Sequence, residues 1–481
     1  MGLVGILIAL GVLIYFSYRG WTVLILAPAA ALLAAGVAGE PLLATLTQTF
    51  MGGAAQFLAQ FFPLFLLGAV FGKLMEDSGS VEKIARALIE GLGSARALLA
   101  VVLSAAIVTY GGVSLFVAFF VLAPMVRTLF QAADLPKRLM PAALALGTMT
   151  FTMSALPGTP ALQNAIPMPF FGTTPFAAPG LGIIAGAIML SFGLWWLGRA
   201  SRSARRAGEG YGALEQASLP DSLRSRESAV TASEFDPIEL EHGKHAEREP
   251  PLLVAVLPLV VVILVNLGMS VVVLPRLDTT FLAEQRWGET SLSALAGVWA
   301  VVTALFAAVL TLVISNYRRL PSLRLSVDAG ANASALPALS VASLVGFGAV
   351  MAALPAFALV RDWVLSIAGG PLVSLAVATN ILAALTGSAS GGLTIALDAL
   401  GDAYMHLAAE LDIDPALLHR VSVMSAGTLD SLPHNGAVVT LLAVCGTSHR
   451  ESYVDLAIVA VGGALLGLTA VIVLGSVFGS F

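Results

Sequence analysis

The sequence predicts an all-α polytopic membrane protein whose two halves are inverted repeats. Charged residues make up 11% of the 481 residues and hydrophobic residues 58%, whereas soluble domains carry about 25% charged residues. Many stretches are long and apolar enough to cross the hydrocarbon layer, which takes about 20 residues of helix. This composition excludes a soluble enzyme.

The distribution of the charged residues and the cysteine content narrow the class of protein further. Residues 199–250 hold eight basic and ten acidic residues, and we expect them to form a flexible cytosolic linker. With so much of the charge in one loop, the chain has no basic face for nucleic acid. Cys445 is the single cysteine, which excludes an internal disulfide and a cysteine-cluster metal site. We therefore expect no cofactor and no metal, and the lipid bilayer is the surrounding partner.

Twelve apolar segments follow one another, and ten of them are predicted to be full crossings. The other two, 97–130 and 370–400, are too long for one span and are interrupted near the middle by small polar residues. Two half-length helices that meet at such an interruption predict a re-entrant hairpin. Residues 81–93 alternate apolar and charged positions at helical spacing, which is typical of a helix on the membrane surface. The predicted full crossings are 3–17, 21–38, 57–75, 138–165, 180–198, 251–274, 291–315, 335–360, 415–446 and 453–478.

Five crossings on each side of the linker give each half an odd number, so the halves are inverted. Residues 1–198 form the first predicted repeat, and residues 251–481 form the second. With the N-terminus outside, 20 of the 24 Lys and Arg residues fall on the cytoplasmic side, as the positive-inside rule requires. Both termini are then outside, hairpin 97–130 enters from the inside, and hairpin 370–400 enters from the outside. The basic residues counted on the outer side are Arg276, Arg286, Arg361 and Arg420.

Two short sequence matches support the duplication. The pattern T-x-x-x-L-P occurs at 152–157 and again at 428–433, an offset of 276. The hairpin tips, Gly-Gly-Val-Ser at 111–114 and Gly-Gly-Leu-Thr at 391–394, match at an offset of 280. Proline within a span opens the helix and frees backbone carbonyls and amides. The spans 138–165 and 415–446 are therefore predicted to be broken, as in secondary transporters with internal repeats.

The two hairpin tips and the two broken spans predict one polar site near the membrane midplane. Half-helix N-termini carry partial positive charge, which suits an anion. His434 lies within a span and Asp430 precedes it by four residues, and buried ionisable groups are functional candidates. We predict that His434 and Asp430 carry proton coupling, the alternative being a purely structural hydrogen-bonded pair. The predicted substrate-binding residues are Tyr110, Gly111, Gly112, Ser114, Ser154, Gly158, Thr159, Asn164, Ser388, Ser390, Gly391, Gly392, Thr394, Ser431, His434 and Asn435.

Four segments resemble the gluconate permease family of the ion transporter superfamily: 72–80, 110–114, 156–160 and 428–436. The resemblance implies a proton-coupled uptake permease for small organic acid anions in a bacterial inner membrane, with both termini periplasmic. It also implies an elevator-type transport domain that moves against a scaffold, usually in a homodimer. The gluconate branch carries an acidic residue beside the hairpin tyrosine, where this chain has Gly111, and a histidine in the first broken span. The chain looks closer to the branch associated with 3-hydroxybutyrate.

Several alternatives stay open at this point. Gluconate or another sugar acid is the alternative substrate, and sodium is an alternative to protons because unwound carbonyls and a carboxylate suit both ions. An intramembrane serine protease using Ser390 and His434 is conceivable. A protease does not need a first-half copy of both motifs, however, and an anion channel does not need two inverted, hinged halves.

The predicted topology can be tested by single-cysteine labelling. In a Cys445→Ala background, a cysteine at Ser225 should react with a membrane-impermeant maleimide in inside-out vesicles and stay unmodified in intact spheroplasts. Labelling in intact spheroplasts would overturn the orientation of every span.

Overall fold

The computed structural model describes residues 2–19, 21–211, 246, 248–433 and 435–481. Most of the predicted linker and His434 lie outside the described residues. Regular structure in the described part of the chain is helical throughout, as the apolar composition predicts.

Several of the helices before the linker are short, and these flank one long non-helical segment. They are α1 (Gly2–Tyr18), α2 (Val23–Ala38), α3 (Leu42–Asp77), α4 (Ser80–Leu92), α5 (Ala97–Tyr110), α6 (Leu115–Ala132), α7 (Met140–Thr148), α8 (Phe151–Ser154), α9 (Leu162–Ala165), α10 (Pro167–Phe171) and α11 (Pro179–Arg206).

The helices after the linker repeat the combination of long spans with one helix pair and one interruption. They are α12 (Leu252–Arg276), α13 (Leu292–Asn316), α14 (Leu323–Ala353), α15 (Phe357–Leu365), α16 (Gly370–Thr386), α17 (Ala389–Glu410), α18 (Pro415–Ala426), α19 (Gly436–Cys445) and α20 (His449–Phe478).

Seven of the described helices are long and apolar enough to cross a membrane: α3, α6, α11, α12, α13, α14 and α20. Helix α4 and the segment Ser94–Tyr110 pass the same criterion together but bend by 101° at their junction. Four shorter apolar helices accompany them, among them α16 and α19. The protein is therefore a multi-pass membrane protein, while the number of crossings and the side from which each hairpin enters stay predictions.

Both glycine-rich interruptions are turns between two helices. In the first, α5 ends at Tyr110 and α6 begins at Leu115. In the second, α16 ends at Thr386 and α17 begins at Ala389, and α17 continues past the predicted end of the hairpin at 400. The arms of the second pair pack backbone to backbone, because a Cβ at Gly392 would lie 2.3 Å from the Cα of Ala383.

The helix is also interrupted at both Leu-Pro sequences. Helix α8 ends at Ser154 and α9 begins at Leu162, which leaves residues 155–161 as the first break. Helix α18 ends at Ala426 and α19 begins at Gly436, which leaves residues 427–435 as the second break. We call these break one and break two.

The end of α3 is fixed by buried charges. Lys73 is 1% exposed, and its Nζ lies 3.2 Å from a carboxylate oxygen of both Glu76 and Asp77. Ser326 of α14 donates to Asp77 Oδ2 at 2.5 Å. Ion pairs this deeply buried hold only where further hydrogen bonds satisfy the remaining oxygens. The cluster therefore fastens α3 to α14.

Both ends of the predicted linker are anchored. Helix α11 continues to Arg206 and so includes the linker's first residues. At the other end, the Ala246 N–H donates to the Asp77 carbonyl at 2.7 Å, and Glu249 pairs with Arg86 of α4 at 2.7 Å. These contacts join the end of the linker to the junction of α3 and α4.

The close packing of hairpin two generates a stability prediction. Gly392→Ala should destabilise the protein by roughly 1–3 kcal/mol, the usual cost of overpacking, because the contacted atoms are backbone. Gly68→Ala is the matched control, since a Cβ at this helical glycine of α3 meets nothing within 4 Å. Thermal unfolding of both variants in detergent gives the comparison. Equal melting temperatures for Gly392→Ala and Gly68→Ala would contradict the close approach of α16 and α17.

Candidate substrate site

A cavity of about 220 Å³ lies where the tip between α5 and α6 meets break one and α14. It is lined mainly by apolar side chains, and no lining residue in the described part of the chain carries a charge. The half-buried Gln163 adds a carboxamide. The lining hydroxyl groups belong to Thr109, Ser114, Thr148, Thr152, Ser334 and Ser390.

Two helix starts open onto this cavity. Ser114 is the N-cap residue of α6, and Leu115 and Phe116 of its first turn line the wall. The Ser114 side chain makes no capping hydrogen bond to its own helix. Ser390 lies in the first turn of α17. The first N–H groups of a helix have no partner within it and carry partial positive charge, so this wall suits an anion.

A tyrosine ties the first hairpin to break one. The Tyr110 hydroxyl donates to the Pro157 carbonyl at 2.7 Å. The neighbouring Thr109 hydroxyl donates to carbonyls, among them that of Gly147 in α7 at 3.1 Å. The hydroxyl of Tyr110, a predicted substrate residue, therefore satisfies a carbonyl that has no helical partner in break one.

At break two, an asparagine has the role that Tyr110 has at break one. Asn435 Nδ2 donates to the Gly387 carbonyl at 2.7 Å, which joins break two to the tip of the second hairpin. Asn435 Oδ1 accepts from the N–H groups of Ala437 and Val438, at 2.7 Å and 3.2 Å, and so caps α19. Each hairpin tip is thus bound to the break of its own half.

His419 links break one to the second half of the chain. It is fully buried in α18, with Nε2 3.1 Å from Asn164 Oδ1 and Nδ1 2.6 Å from Thr173 Oγ1. Asn164 Nδ2 donates to the carbonyls of Thr159 and Pro175, which fixes Oδ1 as an acceptor. His419 therefore carries a proton on Nε2. The sequence does not predict His419 as a site residue, because it lies near the end of an apolar segment.

Arg420 is also fully buried, and its guanidinium satisfies backbone carbonyls. Nη2 and Nε donate to the Ala177 carbonyl at 2.7 Å and 3.2 Å, and Nη1 donates to the Ser154 carbonyl at 3.2 Å. Arg420, which the charge count assigns to the outer side, is therefore an interior residue of α18, and its side of the membrane stays a prediction. Charge counting treats an arginine near a segment end as a loop residue, whereas carbonyls of two neighbouring segments hold this one inside the protein.

Three of the predicted substrate residues line the cavity together: Gly112, Ser114 and Ser390. Four other predicted residues are glycines at close packing positions, and one of them is Gly158, where a Cβ would lie 2.5 Å from the Phe176 ring. A Cβ at Gly111 would lie 2.2 Å from Leu259, one at Gly391 would lie 2.4 Å from Leu344, and one at Gly392 would meet the backbone of α16.

The remaining predicted residues make local hydrogen bonds or hold the breaks. Ser154 and Thr394 donate to carbonyls of their own helices, and Ser388 caps α17 by accepting from Gly391 N–H at 3.1 Å. Thr159 Oγ1 accepts from Ala161 N–H at 3.4 Å. Whether these residues contact a solute stays a prediction.

The proposed coupling residues are described only in part. Asp430 is 5% exposed and accepts from the Ser431 hydroxyl at 3.2 Å, while His434 lies outside the described residues. Asp398, an acidic residue of α17, is exposed and lies beside Gly348 of α14.

Break one is also held by α12, through a residue that is not among those predicted from the sequence. Asn266 is fully buried, and its Nδ2 donates to the Gly158 carbonyl at 3.0 Å. The sequence signal for Asn266 is that it is the only asparagine in a strongly apolar span. Gln163 and Thr152, which line the cavity, are also absent from the predicted residues, and their signal is their position beside the first Leu-Pro sequence.

Broken helices that meet at a small internal cavity define a membrane transporter. The sequence profile described as GntP family permease matches residues 1–174. The chain is 39% identical over 463 residues to the uncharacterized transporter YxjC of Bacillus subtilis (strain 168), which covers 95% of each chain. The protein belongs to the gluconate permease family; it is a transporter and not an enzyme, so the serine protease hypothesis is wrong.

Two further comparisons cover part of the chain or only its fold. The high-affinity gluconate transporter of Escherichia coli (strain K12) is 36% identical over 140 residues, 28% of this chain and 30% of that protein. The solved structure of Neisseria gonorrhoeae MtrF, from a class of antimetabolite efflux pumps, has a TM-score of 0.53 over 91% of this chain and 85% of that one. At 14% identity, this likeness shows the fold alone.

Proposed function

We propose that the protein is a secondary active symporter that takes up a small organic acid anion together with protons. The observation that carries the proposal is a cavity whose described lining residues are uncharged and onto which the first turn of α6 opens. Such a wall binds an anion through N–H groups and hydroxyls, without a charged side chain in contact with it among the described lining residues. A solute that adds its own charge there is carried more readily when a proton accompanies it.

The substrate that fits best is a short hydroxy monocarboxylate such as 3-hydroxybutyrate. The cavity of about 220 Å³ is smaller than the roughly 300–1,000 Å³ of drug-sized sites. Its wall is mostly apolar, which suits a solute with a methyl group and one hydroxyl. Gluconate or another sugar acid is the second candidate, because matching relatives include a gluconate and an L-idonate transporter.

We assign the polar groups of the wall to the two ends of this solute. The carboxylate lies against the Ser114 hydroxyl and the first N–H groups of α6, and the hydroxyl of the solute lies against Ser390 from the second hairpin. Gln163 can serve either end, because a carboxamide both donates and accepts. Residues from both halves would then hold one molecule.

Proton coupling is assigned to His434 with Asp430 as its partner. Burial disfavours the charged form of an imidazole, and a carboxylate nearby compensates that charge. Proton and anion then raise each other's affinity by the same factor, as linkage requires. Sodium in place of the proton is the alternative.

The motion proposed is an elevator, in which the hairpins and breaks move as one body against a scaffold formed by residues 21–75 and 291–360. Hydrogen bonds support this grouping, because Tyr110 and Asn435 bind each hairpin to its break. His419 of α18 is joined to break one through Asn164, which donates to the Thr159 carbonyl. An anion channel would not need a group of helices that moves as one body.

We place the protein in a bacterial inner membrane, as a homodimer with both termini periplasmic.

Substitution of the two cavity serines tests recognition. Ser114→Ala and Ser390→Ala should each raise the KM for labelled 3-hydroxybutyrate in proteoliposomes. A lost hydrogen bond to a charged group costs about 1.5 to 3 kcal/mol, or roughly 10- to 150-fold in affinity. Thr128→Ala is the matched control on α6, since the exposed Thr128 hydroxyl donates to Pro124 in its own helix. Unchanged KM values for both serine variants would place the site elsewhere, and faster uptake of gluconate would favour the second candidate.

Substitution of His434 tests coupling. His434→Gln should keep measurable binding but lose the pH dependence of affinity and the ability to concentrate substrate, because no group remains to take the proton. Asp430→Asn should impair the same step less completely. Uptake driven separately by pH and sodium gradients is the measurement. Accumulation by His434→Gln with unaltered pH dependence would show that the proton travels through another group.

A further inference from the structure

Arg420 carries a buried positive charge that no carboxylate balances in the part of the chain that is described. Its hydrogen bonds go to the carbonyls of Ala177 and Ser154, and it forms no ion pair with a described residue. Carbonyl dipoles solvate a guanidinium in part, but a cation removed from water stays costly without an opposite charge.

The neighbouring side chains do not supply that opposite charge. His419, the preceding residue, is neutral or positive, because its Nε2 donates to Asn164. Tyr110 is engaged as a hydrogen-bond donor to Pro157 and so keeps its proton. The positive electrostatic potential of Arg420 is therefore not cancelled by these two side chains and extends into the space around the guanidinium.

That space includes the wall of the cavity. The Ser154 carbonyl that binds Arg420 belongs to α8, and Thr152 and Met153 of the same helix line the cavity. The guanidinium thus lies at the C-terminal end of a short helix whose two middle residues line the cavity. In a low-dielectric interior, a unit charge at such a position acts strongly on a charged solute and little on a neutral one.

We propose that Arg420 is the residue that makes the cavity selective for anions, through its charge and without touching the solute. The inference rests on the proposed function. It assigns to α18 of the second half the balancing charge for a solute held mainly by the first half. The carbonyl contacts position the guanidinium, and the anion completes its charge balance.

The test compares a carboxylate with its neutral isostere. Displacement of labelled 3-hydroxybutyrate from purified protein is measured with unlabelled 3-hydroxybutyrate and with 3-hydroxybutyramide. Arg420→Gln should weaken binding of the carboxylate roughly tenfold or more, the scale of one charge acting across a side-chain layer, and leave binding of the amide unchanged. Arg420→Lys should keep most of the preference. Arg324→Gln is the control, because the Arg324 side chain is 90% exposed.

Each outcome decides the question. Equal weakening of both ligands in Arg420→Gln shows a structural role alone and overturns the inference, as does an unchanged preference. If Arg420→Gln does not fold, Arg420→Lys decides, since a folded lysine variant that no longer prefers the carboxylate also overturns it. Wild-type protein that binds no carboxylate refutes the proposed function itself, which is a separate result.

Discussion

The constraint on which this structure depends is that a helix broken inside a membrane leaves backbone groups that lipid cannot satisfy. Pro157 and Pro433 each lie in such a break. The groups freed at break one are bound by side chains from three other parts of the chain: Tyr110 from the first hairpin, Asn266 from α12 and Arg420 from α18. Each of these bonds stabilises the break, whose last two residues, Pro160 and Ala161, line the cavity.

The arrangement separates groups that hold the backbone from groups that are left for a solute. Tyr110, Asn164 and Asn435 direct their polar atoms to carbonyls and helix starts. Ser114 and Gln163 face the cavity. A polar residue in a broken span is thus as often part of the support as part of the site.

The fold could be predicted further from the sequence than the site. Glycine, proline and hydropathy act locally, so the hairpin turns and the breaks at 155–161 and 427–435 fall where the sequence indicates. The partners of His419 and Arg420 are more than 240 residues away along the chain, and no local pattern pairs them. The cavity lies nearer to break one than to break two, a difference that two matching motifs could not reveal.

The single hydrogen bond from Asn266 to Gly158 has a consequence for hydration. If break one slides past α12, that bond separates, and both the amide and the carbonyl lose their partner in a fully buried place. A water molecule can replace the lost bond, because it can accept from the Asn266 amide and donate to the Gly158 carbonyl. Each transport step would then draw water to the contact between break one and α12, and the return step would expel it.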